Sequence, residues 1–233
     1  MGCRSFIGLL LCLLLFTAVP AARGAAGAPL RITVLGDSLT AGLGLSASQA
    51  FPAQLQAALR ARGFKVSVAN AGVSGDTTAG GLARLDWTLA GKPQLVIVEL
   101  GGNDALRALP PSEAFANLDA ILTRLKKAKV QTLLAGMRAP RNLGREYYNS
   151  FYAIYPRLAR KHRVPFYPFF LTGVIGNPAL NQSDGIHPNA KGVTVIVRRI
   201  LPLVIKTIEK MEAAGRRWIE PGRRFVASKL APP

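Results

Sequence analysis

The chain has 233 residues, 49% of them hydrophobic, and a formal net charge of +18. That length and apolar content support one well-buried domain and exclude a disordered chain. The only cysteines, Cys3 and Cys12, lie near the start, and the only histidines are His162 and His187. A disulfide framework, a cysteine nucleophile in the main body and a histidine-rich metal site are therefore excluded.

The first segment reads as a targeting signal. Arg4 is a short basic region, Phe6 to Val19 is apolar, and small residues follow in Pro20-Ala21-Ala22-Arg23-Gly24-Ala25-Ala26. Residues 1–26 are read as a secretory signal peptide, which places the mature protein in the periplasm or outside the cell. The competing reading is an uncleaved anchor, but the apolar run is short for a bilayer. Leu11 before Cys12 does not suit lipoprotein processing.

A domain over 27–211 follows. Arg31 to Gly36 is an apolar first strand, and Ser38 lies in the turn after it. Ser48 to Arg62 is a helix capped by Ser48 and ended by Gly63. Phe64 to Ala69 alternates as a second strand. Thr77 to Ala90 is a helix weakened by Gly80-Gly81, with Asp76 as its cap. Gln94 to Leu100 is a central buried strand. Ser112 to Lys129 is the clearest helix, with Phe115, Leu118, Ile121, Leu122 and Leu125 at helical spacing. Val130 to Ala135 is the fourth strand. A loop over 136–144 leads to a helix over 145–163 that contains Pro156. Val164 to Tyr167 is a short fifth strand, and a long irregular loop leads to Asp184. Pro188 to Met211 is the last helix, with Pro202 inside it. Residues 212–233 are basic and rich in Gly and Pro, which reads as a mobile tail.

Strands alternating with helices imply a three-layer α/β/α sandwich on a five-stranded, mainly parallel sheet of flavodoxin-like type. In such a sheet the loops after the strands emerge at one edge, where ligands bind. Four polar turns share that edge: Ser38, the segment Gly72 to Asp76, Asn103, and Asp184 with His187. Together they suit acyl transfer. Serine is a poor nucleophile until a base takes its proton, and an imidazole can do so near neutral pH. Asp184 reaches the other ring nitrogen of His187 if the loop turns at Gly185. The Ser38 N–H, a loop glycine N–H and the Asn103 amide can meet an oxyanion. The residues do not say whether that glycine is Gly72 or Gly75. Asp37 and Asp104 read as acceptors that order loops. Glu99 reads equally as a buried acceptor or an edge-facing carboxylate, and His162, between Lys161 and Arg163, as a surface residue.

The blocks GDSLTAG, NAGVSGDTTAGGLARL, ELGGND and DGIHPNAKG resemble, in order and spacing, the signature blocks of the SGNH, or GDSL, hydrolases. The similarity runs from about Leu30 to about Ile208. It is narrower toward the bacterial periplasmic acyl-CoA thioesterase I, lysophospholipase and arylesterase subgroup. The resemblance implies Ser38 as nucleophile, His187 as base, Asp184 as its partner, and an oxyanion hole of Ser38, Gly75 and Asn103. It also implies no cofactor and no metal. The G-x-S-x-G elbow of α/β-hydrolases is absent.

A serine esterase or thioesterase acting on small-molecule esters is therefore expected. The alternatives are a deacetylase of cell-wall or extracellular polysaccharide and a non-catalytic anion-binding protein. No Lys or Arg lies between Leu35 and Leu59 to meet a phosphate, which disfavours a phosphate-binding turn. The charge is spread and no basic stripe carries interleaved aromatics, so no nucleic-acid partner is expected. The positive surface suits peripheral contact with anionic lipid. The loops 105–111 and 138–144 carry few large apolar residues, and the groove they wall suits short to medium acyl chains.

Overall fold

The computed structural model describes residues 28–214. The expected signal peptide and all but the first residues of the expected tail lie outside the described residues. The element order is β1 (Leu30–Gly36), α1 (Ser38–Ala41), α2 (Phe51–Arg60), β2 (Val66–Gly72), α3 (Thr78–Ala83), α4 (Leu85–Ala90) and β3 (Leu95–Glu99). It continues with α5 (Gly102–Leu106), α6 (Pro111–Lys127), β4 (Gln131–Ala135), α7 (Arg145–His162), β5 (Phe166–Tyr167) and α8 (Ala190–Ala213).

The sheet runs β2-β1-β3-β4-β5, and all its pairings are parallel. Helix α2 packs against α8, while α6 packs against α3 and α7, which gives the three layers. β1 and β3 are neighbours although β2 lies between them in sequence. Their carboxyl ends therefore flank the point where the chain reverses its direction of winding, the usual place for a ligand crevice. Leu95 to Glu99 is buried throughout, as a strand covered on both faces must be.

Several boundaries differ from the sequence reading, each for a physical reason. The helix expected from Ser48 begins at Phe51. Ser46 and Gln49 cap a separate 3-10 turn over Ala47–Gln49. Pro52 has no N–H to donate and is tolerated only in the first helical turn, where it sits. β2 starts later than expected and runs on to Gly72, because pairing with β1 aligns Leu30 with Val66 and Gly36 with Gly72. As an edge strand it exposes Ala69 and Asn70, a pattern that conceals its length.

The helix expected over 77–90 is broken at Arg84, whose backbone leaves helical geometry at φ −101° and ψ 13°. Thr77, not Asp76, caps α3. Only Phe166 and Tyr167 of the fifth strand pair with β4; Pro165 has no donor for a ladder. Helix α8 begins at Ala190, capped by Asn189, whose side chain accepts from the N–H groups of Lys191 and Gly192. Pro156 and Pro202 both lie inside continuous helices.

His162 is not a surface residue. Its side chain is 7% exposed and lies 2.6 Å from Asp119 on α6, an acid that also accepts from Lys161. The neighbouring cations suggested exposure. The helical face of position 162 turns it toward α6 instead.

Candidate active site

The turn that carries Ser38 is built under tight steric limits. Asp37 caps α1 by accepting from the Leu39 N–H at 3.0 Å, so Ser38 is the first helical residue. Its own N–H precedes any helical partner. Thr40, two residues on, donates to Glu99 Oε2 at 2.7 Å, tying α1 to the end of β3. A Cβ at Gly36 would lie 2.1 Å from Thr40 Oγ1 and 2.6 Å from Glu99 Oε2. Only glycine lets strand, helix and Glu99 meet there. Of the two readings of Glu99, the buried acceptor is the one observed.

Ser38 Oγ stands 2.8 Å from His187 Nε2. His187 Nδ1 stands 2.6 Å from Asp184 Oδ2, and Asp184 Oδ1 accepts from the N–H groups of Ile186 and His187 at 2.9 Å. These bonds, the His187 backbone N–H foremost, hold the Asp184 carboxyl down to about 2. The carboxylate therefore accepts the Nδ1 proton, which leaves Nε2 free to accept from the serine hydroxyl. The turn closes at Gly185, with φ +69°, through its N–H to the Gln182 carbonyl at 3.0 Å. Gln182 also donates from Nε2 to the Leu43 carbonyl at 2.7 Å. The loop that carries His187 is thereby anchored to the turn after α1.

The other two polar turns close around the same point. Asn103 lies in α5, just after β3. Its Nδ2 donates to the Asp76 carbonyl at 2.9 Å and more weakly to Asp37 Oδ2 at 3.3 Å. Gly75 has φ +84°, which a side chain would strain, and its carbonyl accepts from Arg107 Nη2 at 2.8 Å. Of the two glycines left open by the residues, Gly75 lines the cavity beside Ser38 and Asn103. Gly72 ends β2 instead, packed against Ala41 and Asp37. Asp37 and Asp104 are loop-ordering acceptors, as expected. Asp104 takes both the N–H and the hydroxyl of Thr78, at 2.8 and 2.6 Å.

Ser38, Gly75, Asn103 and His187 line one cavity of about 610 Å³. Its walls are apolar: Leu43, Leu106, Met137, Phe169, Leu171 and Ile175. Three of these, Phe169, Leu171 and Ile175, come from the segment after β5, which the sequence reading treated as an irregular connection. Among the described residues no group of three or more His, Cys, Asp or Glu could hold a metal ion.

Residues 34–195 match the model of the GDSL-like Lipase/Acylhydrolase family. The chain belongs to that family. It is a hydrolase of the SGNH type. It is 41% identical over 172 residues to "Esterase TesA" of Pseudomonas aeruginosa, covering 73% of this chain and 86% of that protein. It is 44% identical over 178 residues to "Thioesterase 1/protease 1/lysophospholipase L1" of Escherichia coli K12, covering 74% and 84%. Among solved structures, "Crystal structure of AlinE4, a SGNH-hydrolase family esterase" is 48% identical with a TM-score of 0.66, covering 78% of this chain and 98% of that one.

Two arginines escaped the sequence reading of this hydrolase. Arg84, at the break between α3 and α4, donates to Asp76 at 2.5 Å, to the Ala71 carbonyl at 2.7 Å and to the Gly36 carbonyl at 2.8 Å. It clamps the ends of β1 and β2 and the turn that carries Gly75. Arg107 fixes Gly75 from the other side. A charged residue inside an expected helix gives no local sign of such a role.

Beside Ser38 and Thr40 lie two buried carboxyls, Asp37 and Glu99. Burial pushes Asp37 up to about 6, against the opposing Leu39 N–H. Burial, with the neighbouring Asp37 charge, pushes Glu99 well above the usual carboxylate range. Glu99 Oε1 has no hydrogen-bond partner among the described residues.

Proposed function

We propose that this protein hydrolyses carboxylic esters and thioesters through an acyl-enzyme on Ser38. The observation that carries the proposal is the continuous relay from Asp184 through His187 to Ser38, opening into an apolar cavity. Ser38 Oγ attacks the carbonyl carbon while His187 Nε2 takes the hydroxyl proton. Asp184 holds the ring orientation and balances the imidazolium. Three donors serve the oxyanion: the Ser38 N–H, the Gly75 N–H and Asn103 Nδ2. The long contact of Asn103 to Asp37 yields to the shorter bond that a developing oxyanion offers. The tetrahedral intermediate collapses, the C–O or C–S bond breaks, and the imidazolium proton goes to the departing oxygen or sulfur. Water then repeats the sequence on the acyl-enzyme and releases the acid.

The relatives named esterase, thioesterase and lysophospholipase support this substrate class. The apolar walls favour an acyl chain over an acetylated sugar. Thiolates and phenolates leave with little help, so aryl esters and acyl thioesters are turned over far faster than amides. The net charge of +18 supports approach to anionic lipid surfaces. Labelling with a fluorophosphonate, followed by peptide mapping, tests the proposal. The label is expected on Ser38 alone, and labelling that survives Ser38→Ala refutes it.

The sequence before Ala28 supports export and cleavage. N-terminal sequencing of exported protein is expected to give a start between Ala22 and Gly27. An intact Met1 in the membrane fraction refutes cleavage.

A further inference from the structure

The mouth of the cavity carries two arginines in an unusual state. Arg138 follows β4, and its guanidinium lies 4.6 Å from the centre of the Phe169 ring and 5.7 Å from that of Tyr152. Arg141 opens the next 3-10 turn, with its guanidinium 5.2 Å from the Tyr148 ring. Both are exposed and both line the cavity that contains Ser38 and His187. Among the described residues neither forms an ion pair, whereas Arg84, Arg124 and Lys161 each have a carboxylate. Among the described residues the only acid lining the cavity is Asp37, which is buried.

Stacking a guanidinium on aromatic rings limits its rotamers without consuming its in-plane N–H donors. The two side chains are thus restrained yet uncommitted. Their donors suit a tetrahedral anion better than a neutral group, because guanidinium pairs bidentately with phosphate oxygens. Without acidic neighbours at the mouth, nothing there competes for them.

We propose that Arg138 and Arg141 form a phosphate-recognition site that selects acyl esters or thioesters whose leaving group carries a phosphate. This rests on the ester-hydrolase reading of the same cavity and assigns its leaving-group end. The shared chemistry is a phosphate ester in the leaving group, close to the scissile oxygen in a lysophospholipid and at the far end of the pantetheine arm in coenzyme A. Coenzyme A and the headgroup of a lysophospholipid both provide it.

The test uses two matched pairs with the same acyl chain. One pair is octanoyl-CoA against S-octanoyl-N-acetylcysteamine, which keeps the thioester and lacks the phosphates. The other is 1-octanoyl lysophosphatidic acid against 1-octanoylglycerol. The wild type is expected to favour the phosphate-bearing member of at least one pair by about tenfold in kcat/KM, the scale of charge-assisted contacts at a partly exposed site. The preference is expected to lie in KM and to shrink as salt rises from low to physiological strength.

In Arg138→Met/Arg141→Met the ratio within that pair is expected to fall to near one. Arg138→Lys, which keeps charge but loses the fork, is expected to fall between. A loss confined to one pair identifies the source of the phosphate. A wild-type ratio near one in both pairs, or a ratio unchanged in the double variant, overturns the proposal. If the double variant does not fold by circular dichroism, Arg141→Gln and the salt series on wild type decide in the same way. Absence of turnover on all four substrates by wild type would instead refute the hydrolase reading.

Discussion

His187 Nε2 lies 2.8 Å from Ser38 Oγ, although 149 positions separate the two residues. The first strand delivers one and the loop before the last helix delivers the other. The contact therefore reports on the whole sheet, and each side of it can be perturbed separately.

Removal of the oxyanion donor is the most selective perturbation. Asn103→Ala is expected to lower kcat by roughly 10²–10³-fold, the usual loss for one such donor. KM should change little, because the charge it meets exists only in the transition state. Steady-state kinetics on p-nitrophenyl butyrate checks this. A raised KM with kcat intact would make Asn103 a substrate-binding residue.

Asp184→Asn should keep the loop geometry yet misplace the imidazole proton, lowering kcat by about 10²–10⁴-fold. In the wild type the Asp184 carboxyl is held down to about 2, so it is ionised throughout the assay range. Asp184 should therefore add no ionisation of its own to the pH–rate profile of kcat/KM. An acid-side ionisation present in wild type and missing from Asp184→Asn would contradict this.

The buried acid under α1 should make stability depend on pH in the unusual sense. Glu99 binds its proton more tightly folded than unfolded, because burial raises it. Stability from this group is present at low pH and is lost as pH rises from its ordinary value of 4.5 toward its folded value. Glu99→Gln cannot ionise. Its stability relative to wild type should therefore increase with pH above 4.5, by at most about 1.4 kcal/mol per pH unit. Thermal melts of both proteins at pH 5, 6, 7 and 8 measure the difference. A difference that is flat with pH would mean that Glu99 is charged in the folded state.

Chain-length preference should follow the apolar wall. Ile175 lines the cavity and is 50% exposed, so a medium acyl chain can cover it. Ile175→Ala is expected to raise KM for octanoyl esters several-fold, at about 0.8 kcal/mol per methylene no longer covered. Acetyl esters, which do not reach it, should be unaffected. A p-nitrophenyl series from acetyl to palmitoyl checks both statements, and an optimum at palmitoyl would contradict a medium-length groove.

The nearness of Ser38, Asn103 and His187 was legible in the sequence because parallel strands send their carboxyl ends to one edge. The choice of Gly75 over Gly72 was not, and came from the family resemblance alone. The helix of 17 residues from Pro111 was legible from its apolar spacing. What could not be read depends on contacts between elements. Periodicity gives Arg84 a helical position but not the three oxygens it bridges. It cannot show that His162 faces Asp119, nor that Phe169 and Leu171 form a wall of the cavity. Glu99 was ambiguous for the same reason, since only its pairing with Gly36 across the sheet decides which way it points.

The distance along the chain between nucleophile and base has a further consequence, one of timing. Ser38 belongs to the first strand and turn to be synthesised, and His187 arrives only with the last helix. Until β5 and α8 have docked, the chain carries a serine with no base, which is an ordinary alcohol. Incomplete chains and chains not yet folded therefore have no hydrolytic power over the esters around them. On the proposed mechanism, competence waits until the two ends of the domain meet.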